Sequence, residues 1–114
     1  MELQPTALKD LIALKDVEQL ISLEVAPCVS HDTLDGRETC RIWDASVMSP
    51  ATAEFFSTLY GRNPDGTAVA LLDYQDHGDA EYSGETLARH LGVVVSMYDR
   101  SGILKREAPP YRYL

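Results

Sequence analysis

The stretch EFFSTLYGRNPDGTAVALLDY, residues 54–74, contains the clearest structural signal in this sequence. Both of its halves are rich in β-branched, aromatic and other apolar residues, which favour strands. Between them, Pro64 fixes its own φ and Gly66 accepts a positive φ, as a tight turn requires. We therefore predict a hairpin whose almost continuously apolar second strand is central and covered on both faces. The alternative for residues 49–60 is a helix with Ser49 as its N-cap and Pro50 in its first turn.

Two helices are expected on either side of this hairpin. Leucine, isoleucine and valine recur every three or four residues over residues 5–24, which predicts one helix or two short ones. A second helix is expected over residues 78–92, with Asp79 or Ser83 as its N-cap. Gly92 is placed to end it, because glycine accepts the left-handed conformation that closes many helices.

The remaining segments are expected to be loops and strands. Pro27 and the pair Asp35-Gly36 are turn signals, so residues 25–39 are predicted to be loop-like. A turn at Asp35-Gly36 would also allow a hairpin that pairs residues near Val29 with residues near Cys40. Two further strands are predicted from β-branched and aromatic residues, over residues 40–48 and 93–98.

These elements predict an α+β domain with the order α-β-β-β-α-β. In this arrangement an antiparallel sheet of three to four strands is packed by the N-terminal helix and the second helix, which buries the apolar faces of both. A length of 114 residues fits one domain, expected over residues 1–102. Residues 103–114, with their basic, proline and tyrosine residues, are expected to form an extended C-terminal tail.

The charge of the chain limits what it can bind. The net charge of −8 argues against direct nucleic-acid binding and against binding to anionic membranes, because both need a basic surface. Four of the ten basic residues lie in residues 100–114, so an acidic body ends in a basic tail. No apolar run is long enough to span a bilayer, and the first residues lack a secretion signal. We therefore expect a cytoplasmic protein with Cys28 and Cys40 reduced.

An acidic cluster is the main candidate site. It consists of five carboxylates without an intervening Lys or Arg: Asp73, Asp76, Asp79, Glu81 and Glu85. Such a series can imitate phosphates and engage a basic groove on a protein partner. The structural alternative is that these residues serve a turn and the start of a helix, whose dipole favours carboxylates. Tyr60 and Arg62 are added to the predicted partner-binding set, Tyr60 as an aromatic anchor.

Metal and catalytic sites are weaker candidates. Cys28, His31, Asp32 and Cys40 contain a Cys-x-x-His spacing, but lack the repeated cysteine pairs typical of zinc sites. The acidic cluster is out of register with a calcium-binding loop. Cys28 and His77 could form a nucleophile and base only if the fold brought them together. We therefore expect no metal, no cofactor and no enzymatic activity.

The hairpin resembles segments of small bacterial proteins encoded on plasmids and other mobile elements. The likeness rests on Leu59-Tyr60-Gly61-Arg62, Asp65-Gly66 and Asp73-Tyr74, and extends over about residues 55–80. It implies a bacterial or phage setting but brings no activity, cofactor or catalytic residue. The α-β-β-β-α order is also similar to the double-stranded-RNA-binding fold. That fold reads RNA with basic residues where this chain has acids, so the likeness implies no RNA binding.

The resulting hypothesis is a small acidic binding protein that occupies a basic surface of a macromolecular partner. One such role is that of a phage or mobile-element inhibitor of a nucleic-acid-handling defence complex, which would make the protein anti-CRISPR-like. The first alternative is an antitoxin or immunity protein that neutralises a basic toxin by the same charge complementarity. The second is a small metal-dependent enzyme. A homodimer is a further expectation, because sheet edges and exposed aromatic residues can pair with a second copy.

Overall fold

The part of the chain that the structure describes forms a mixed six-stranded sheet with two helices. The computed structural model describes residues 8–14, 16–45 and 51–108. Its elements in chain order are α1 Leu8–Leu11, β1 Ser22–Thr33, β2 Gly36–Arg41, β3 Glu54–Arg62, β4 Ala68–Tyr74, α2 His77–Leu91, β5 Val94–Tyr98 and β6 Leu104–Ala108. Two single 3₁₀ turns are also present, Val17–Gln19 and Ile42–Asp44. No helix in these described ranges is long and apolar enough to cross a membrane.

Strand β1 is the centre of the sheet. On one side it pairs antiparallel with β3, which pairs in turn with the edge strand β4. On its other side, the first part of β1 pairs parallel with β5, and β5 pairs with β6. The second part of β1 pairs with β2, in a register that places Val29 opposite Cys40. This register confirms the hairpin that the turn at Asp35-Gly36 predicts.

Pro27 lies where β1 changes partners. The pairing with β5 ends at Val25, and the pairing with β2 begins at Cys28. A proline in a strand cannot donate a ladder hydrogen bond, so strands tolerate it best where the ladder is interrupted. The gap between β5 and β2 is such an interruption, and a cavity that Pro27 lines opens beside it.

Helix α2 covers one face of the sheet. Gly84 lets it approach closely, because a Cβ atom at this position would lie 2.7 Å from Val25 Cγ2 and 3.4 Å from Leu59 Cδ1. The buried side chains beneath and around α2 form the core, which includes Leu11, Leu23, Val25, Leu59, Leu87, Val95 and Met97. Gly92 ends α2 in the left-handed conformation, with φ of 71°, as the sequence predicts.

The α+β class is confirmed, but the predicted sheet of three to four antiparallel strands is wrong. The sheet has six strands and is mixed. Most of the segment predicted as loop, residues 25–39, belongs to β1 and β2. Turn signals such as Pro27 suggested a loop, whereas the sheet accommodates this proline at the gap. Residues 104–108, expected as part of a tail, form β6, and residues 109–114 lie outside the described ranges.

Three local predictions also need correction. The segment over residues 5–24, predicted as one helix or two short ones, forms α1 and a 3₁₀ turn, with Asp16 between them at a left-handed φ of 58°. The prediction is wrong from Ser22 onward, where β1 begins, and its start lies outside the described residues. The strand predicted over residues 40–48 ends at Arg41, where a 3₁₀ turn follows, and residues 46–48 lie outside the described ranges. Strand β4 is an edge strand with exposed residues at its start, rather than a doubly covered one.

The predicted hairpin over residues 54–74 is confirmed as β3 and β4. Residues 54–60 are in strand β3, so the helical alternative fails over this part, while Ser49 and Pro50 lie outside the described residues. The predicted helix over residues 78–92 and the strand over 93–98 are confirmed as α2 and β5 within one residue at each boundary. The N-cap of α2 is Asp76, rather than Asp79 or Ser83.

Candidate functional site

The acidic cluster begins at the N-terminus of α2. The Asp76 carboxylate accepts hydrogen bonds from the backbone N–H groups of Gly78, at 2.7 Å, and Asp79, at 3.3 Å. It therefore caps the helix, which is the structural role expected of a carboxylate at this position. Asp76 and Asp79 are both exposed, and neither has a Lys or Arg ion-pair partner among the described residues. Their charge remains available at the surface.

The two glutamates of the cluster are paired within the protein. Glu81 lies 2.8 Å from the Lys105 ammonium, and Glu85 lies 2.9 Å from the Arg106 guanidinium. Glu85 also pairs with Arg89, one helical turn further along. Strand β6 thus carries basic residues of the predicted tail back to α2, where they neutralise part of the acidic cluster. The side chains of this pairing are partly exposed, so each ion pair contributes little stability.

The other three residues of the predicted set lie apart from the glutamates. Asp73 accepts a hydrogen bond from the Thr58 hydroxyl at 2.7 Å. Thr58, Tyr60 and Arg62 alternate with Leu59, which packs beneath α2, so they project from the opposite face of the sheet. The structure therefore divides the predicted site between two faces.

Tyr60 is held in a polar cluster on that opposite face. The Arg41 guanidinium stacks over its ring at 4.4 Å from the centroid and bonds the Glu24 carboxylate at 2.7 Å. The Tyr60 hydroxyl lies 3.4 Å from Cys28 Sγ. Burial, followed by the contact with Cys28, raises the pKa of Tyr60 above its ordinary value. Tyr60 is thus a half-buried structural residue as much as a surface anchor.

Two exposed aromatic side chains flank the unpaired carboxylates. Tyr82 follows Asp79 by three residues, so both project from one side of α2, and 62% of Tyr82 is exposed. Phe55 is 56% exposed and lines a cavity together with Gln75, next to Asp76. We call Phe55, Asp76, Asp79 and Tyr82 the α2 entry surface. It combines negative charge with aromatic groups, which are common at protein interfaces.

The cysteines and histidines do not assemble a metal site in the part of the chain that the structure describes. Cys28 and Cys40 are free thiols. Cys28 pairs with Arg41 and Cys40 with Val29, so the two thiols project from opposite faces of the sheet. Burial, followed by the charge of Glu38, raises the pKa of the Cys40 thiol. His31 is fully buried, and its ring lies 2.7 Å from the Glu38 carboxylate.

A buried pair of side chains that sequence reasoning missed joins β3 to α2. Ser57 Oγ lies 2.6 Å from His77 Nδ1, and His77 Nε2 lies 2.8 Å from the carbonyl oxygen of Tyr98. Both side chains line a cavity of about 270 Å³ beside Pro27, which Cys28 also lines. The sequence contains no signal for this pair, because no spacing connects His77 to a serine 20 residues earlier and the N-cap that precedes His77 was not predicted.

A second, more polar cavity of about 180 Å³ opens on the opposite face of the sheet. Its lining includes Glu24, Arg41, Tyr60 and Arg62. In this cavity Arg41 pairs with Glu24, whereas Arg62 donates a hydrogen bond to the Gly66 carbonyl oxygen.

Comparison with known proteins found no match for this chain. The likeness of residues 55–80 to mobile-element proteins therefore stays an expectation from the sequence. No model of a known family matches this chain, and no curated protein or solved structure matches it either.

Proposed function

We propose that this chain is a binding protein that uses the α2 entry surface to occupy a basic surface of a macromolecular partner. The observation that supports this most is the difference between the two parts of the acidic cluster. Glu81 and Glu85 are paired with bases of the chain itself, whereas Asp76 and Asp79 are exposed without such a partner in the described residues. Charges left in this state can attract and orient an oppositely charged partner.

The composition of the surface adds to the charge argument. Phe55 and Tyr82, the two aromatic residues of this surface, each expose more than half of their area. Aromatic side chains of this kind supply much of the binding energy in protein interfaces, while rim charges mainly set association rate and selectivity. The net charge of −8 favours basic partners and opposes direct binding to nucleic acid.

The biological setting that we propose follows from this chemistry. A cytoplasmic partner that handles nucleic acid would present a basic groove, and an acidic protein seated in that groove would inhibit it. This is the anti-CRISPR-like role of a phage or mobile-element protein. An antitoxin that neutralises a basic toxin would use the same surface, so the identity of the captured partner separates the two roles.

The test compares two charge-matched variants in pull-downs from a bacterial lysate at low and high salt. One carries Asp76→Asn and Asp79→Asn, which removes two charges while asparagine still caps α2. The control carries Asp10→Asn and Asp35→Asn, which removes two exposed charges elsewhere. We expect a salt-sensitive partner that the first variant loses and the control retains. Equal capture by both variants would refute the role of the α2 entry surface.

A further inference from the structure

The hydrogen bonds of the His77 ring determine which nitrogen carries the proton. The Tyr98 carbonyl oxygen can only accept a hydrogen bond, so in the neutral ring Nε2 carries the proton and donates it over 2.8 Å. Nδ1 is then an acceptor, and the Ser57 hydroxyl, at 2.6 Å, donates to it. The Ser57 hydroxyl is therefore already aligned with a base, as in a nucleophile–base pair.

His77 is the first residue of α2, and its ring is held between β3 and β5 by the hydrogen bonds to Ser57 and to the Tyr98 carbonyl oxygen. Once protonated, the ring would be stabilised by the Tyr98 carbonyl and by the Glu81 carboxylate, whose Oε2 lies 3.8 Å from Nε2. The roles of the two ring nitrogens are exchanged relative to the usual serine–histidine–acid arrangement, but the proton path is equivalent.

Ser57 and His77 are accessible from a cavity that has room for a small ligand. The cavity of about 270 Å³ has walls formed by Ile42, Phe55 and Phe56, and the exposed residue Arg100 also lines it. Apolar walls with a few convergent polar groups are typical of small-molecule sites. Ser57 is 4% exposed, so a ligand would approach its hydroxyl from this cavity rather than from open solvent.

From this geometry we propose that Ser57 is an acyl-accepting nucleophile with His77 as its general base, and that its substrates are activated esters of short apolar acids. The apolar walls would hold the acyl chain. Ser57 Oγ forms a bond to the acyl carbon, and its proton passes to His77 Nδ1. The bond between the acyl carbon and the leaving oxygen breaks, and His77 returns the proton to that oxygen. The products are an acyl-serine and a free alcohol or phenol, with no oxidant or metal involved.

The test uses the full chain and p-nitrophenyl butyrate. Acylation is followed by p-nitrophenol release and by intact mass, and the modified residue is identified by peptide mapping. We expect one butyryl group on Ser57 and none in Ser57→Ala. In His77→Asn, whose side chain still accepts a hydrogen bond but is not a base, the rate should fall by at least about 100-fold.

A matched control separates this chemistry from general reactivity. Ser83 is also fully buried but does not line the cavity that Ser57 and His77 share, so Ser83→Ala should be acylated like the unmodified protein. Circular dichroism establishes that each variant is folded. Absence of acylation in the folded protein would overturn the proposal, as would a butyryl group on Cys28 instead of Ser57. An unchanged rate in His77→Asn would also overturn it. Phe55 belongs to both the cavity and the α2 entry surface, but the acylation test uses the purified chain without a partner, so its outcome does not depend on partner binding.

Discussion

Replacing Gly84 by alanine measures how closely α2 is seated on the sheet. The new Cβ atom would lie 2.7 Å from Val25 Cγ2, 3.4 Å from Leu59 Cδ1 and 3.5 Å from Val95 Cγ2. Carbon atoms pack best at about 3.5–4.0 Å, so only the contact with Val25 is severely short. Val25 lies in the central strand and its χ1 is stiff, so it cannot easily move aside. The clash therefore has to shift the helix or the strand.

Two opposing effects determine how much Gly84→Ala changes the free energy of unfolding. Overpacking a core position costs about 1–3 kcal/mol. Replacing glycine by alanine inside a helix returns about 1 kcal/mol through helix propensity. With an overpacking cost of about 2 kcal/mol and a helix-propensity gain of about 1 kcal/mol, we expect Gly84→Ala to lower the free energy of unfolding by about 1 kcal/mol. The measurement is urea unfolding followed by circular dichroism and by the fluorescence of Trp43, the single tryptophan.

A second variant tests whether the short contact with Val25 causes this loss of stability. In a Val25→Ala background the short contact is gone, so adding Gly84→Ala should raise the free energy of unfolding by about 1 kcal/mol. The double-mutant cycle would then give a coupling of about 2 kcal/mol between the two positions. If Gly84→Ala alone stabilised the protein by about 1 kcal/mol, as it would on an exposed helix face, the close approach of α2 to β1 would be refuted.

Three further changes test other parts of the structure. Because the pKa of Tyr60 is raised in the folded protein, the unfolded chain loses the Tyr60 proton first, so the free energy of unfolding should fall as pH rises above about 10. Urea unfolding across alkaline pH should show a smaller fall for Tyr60→Phe. Hydrogen bonds from the Ser101 hydroxyl and then from the Ile103 N–H lower the pKa of Asp99, so the ionised carboxylate should stabilise the fold above about pH 4 and lose this effect at lower pH. Carboxyl NMR titration of the folded protein and of Ser101→Ala measures the pKa of Asp99. Arg41→Ala should cost about 1–3 kcal/mol in urea unfolding, because it leaves the partly buried Glu24 carboxylate without its partner; a cost below ~0.5 kcal/mol would show that the pair behaves like an exposed one.

Local signals were sufficient for the elements whose pattern is set by neighbouring residues. The turn at Pro64 and Gly66, the stop at Gly92 and the β-branched run of β5 each depend on conformational preferences within a few residues. The same reasoning failed for β1, because its middle, residues 25–29, is buried on both faces and shows no alternation. Pro27 within it also resembles a loop signal. Its place in the sheet depends on partners that are distant in sequence, which local patterns do not contain.

Contacts between residues distant in sequence were also missed at the candidate sites. The sequence identified the acidic cluster, but not that Lys105 and Arg106 return to pair with its glutamates, because β6 pairs with β5 through long-range contacts. Ser57 and His77 meet only because the β3–β4 hairpin brings the start of α2 back beside β3. Residue types suggested which groups could react, whereas the topology decided which of them are neighbours.

Strands β5 and β2 pair with successive parts of the same side of β1, and this affects how the chain folds. Both hairpins form from residues close in sequence, whereas the parallel pairing of Ser22 with Val94 must wait until α2 and β5 have been synthesised. During synthesis the first part of β1 therefore has an unpaired edge, and such edges recruit other strands. A chain of this topology should fold slowly, and conditions that delay the arrival of β5 should promote aggregation before they affect the finished protein.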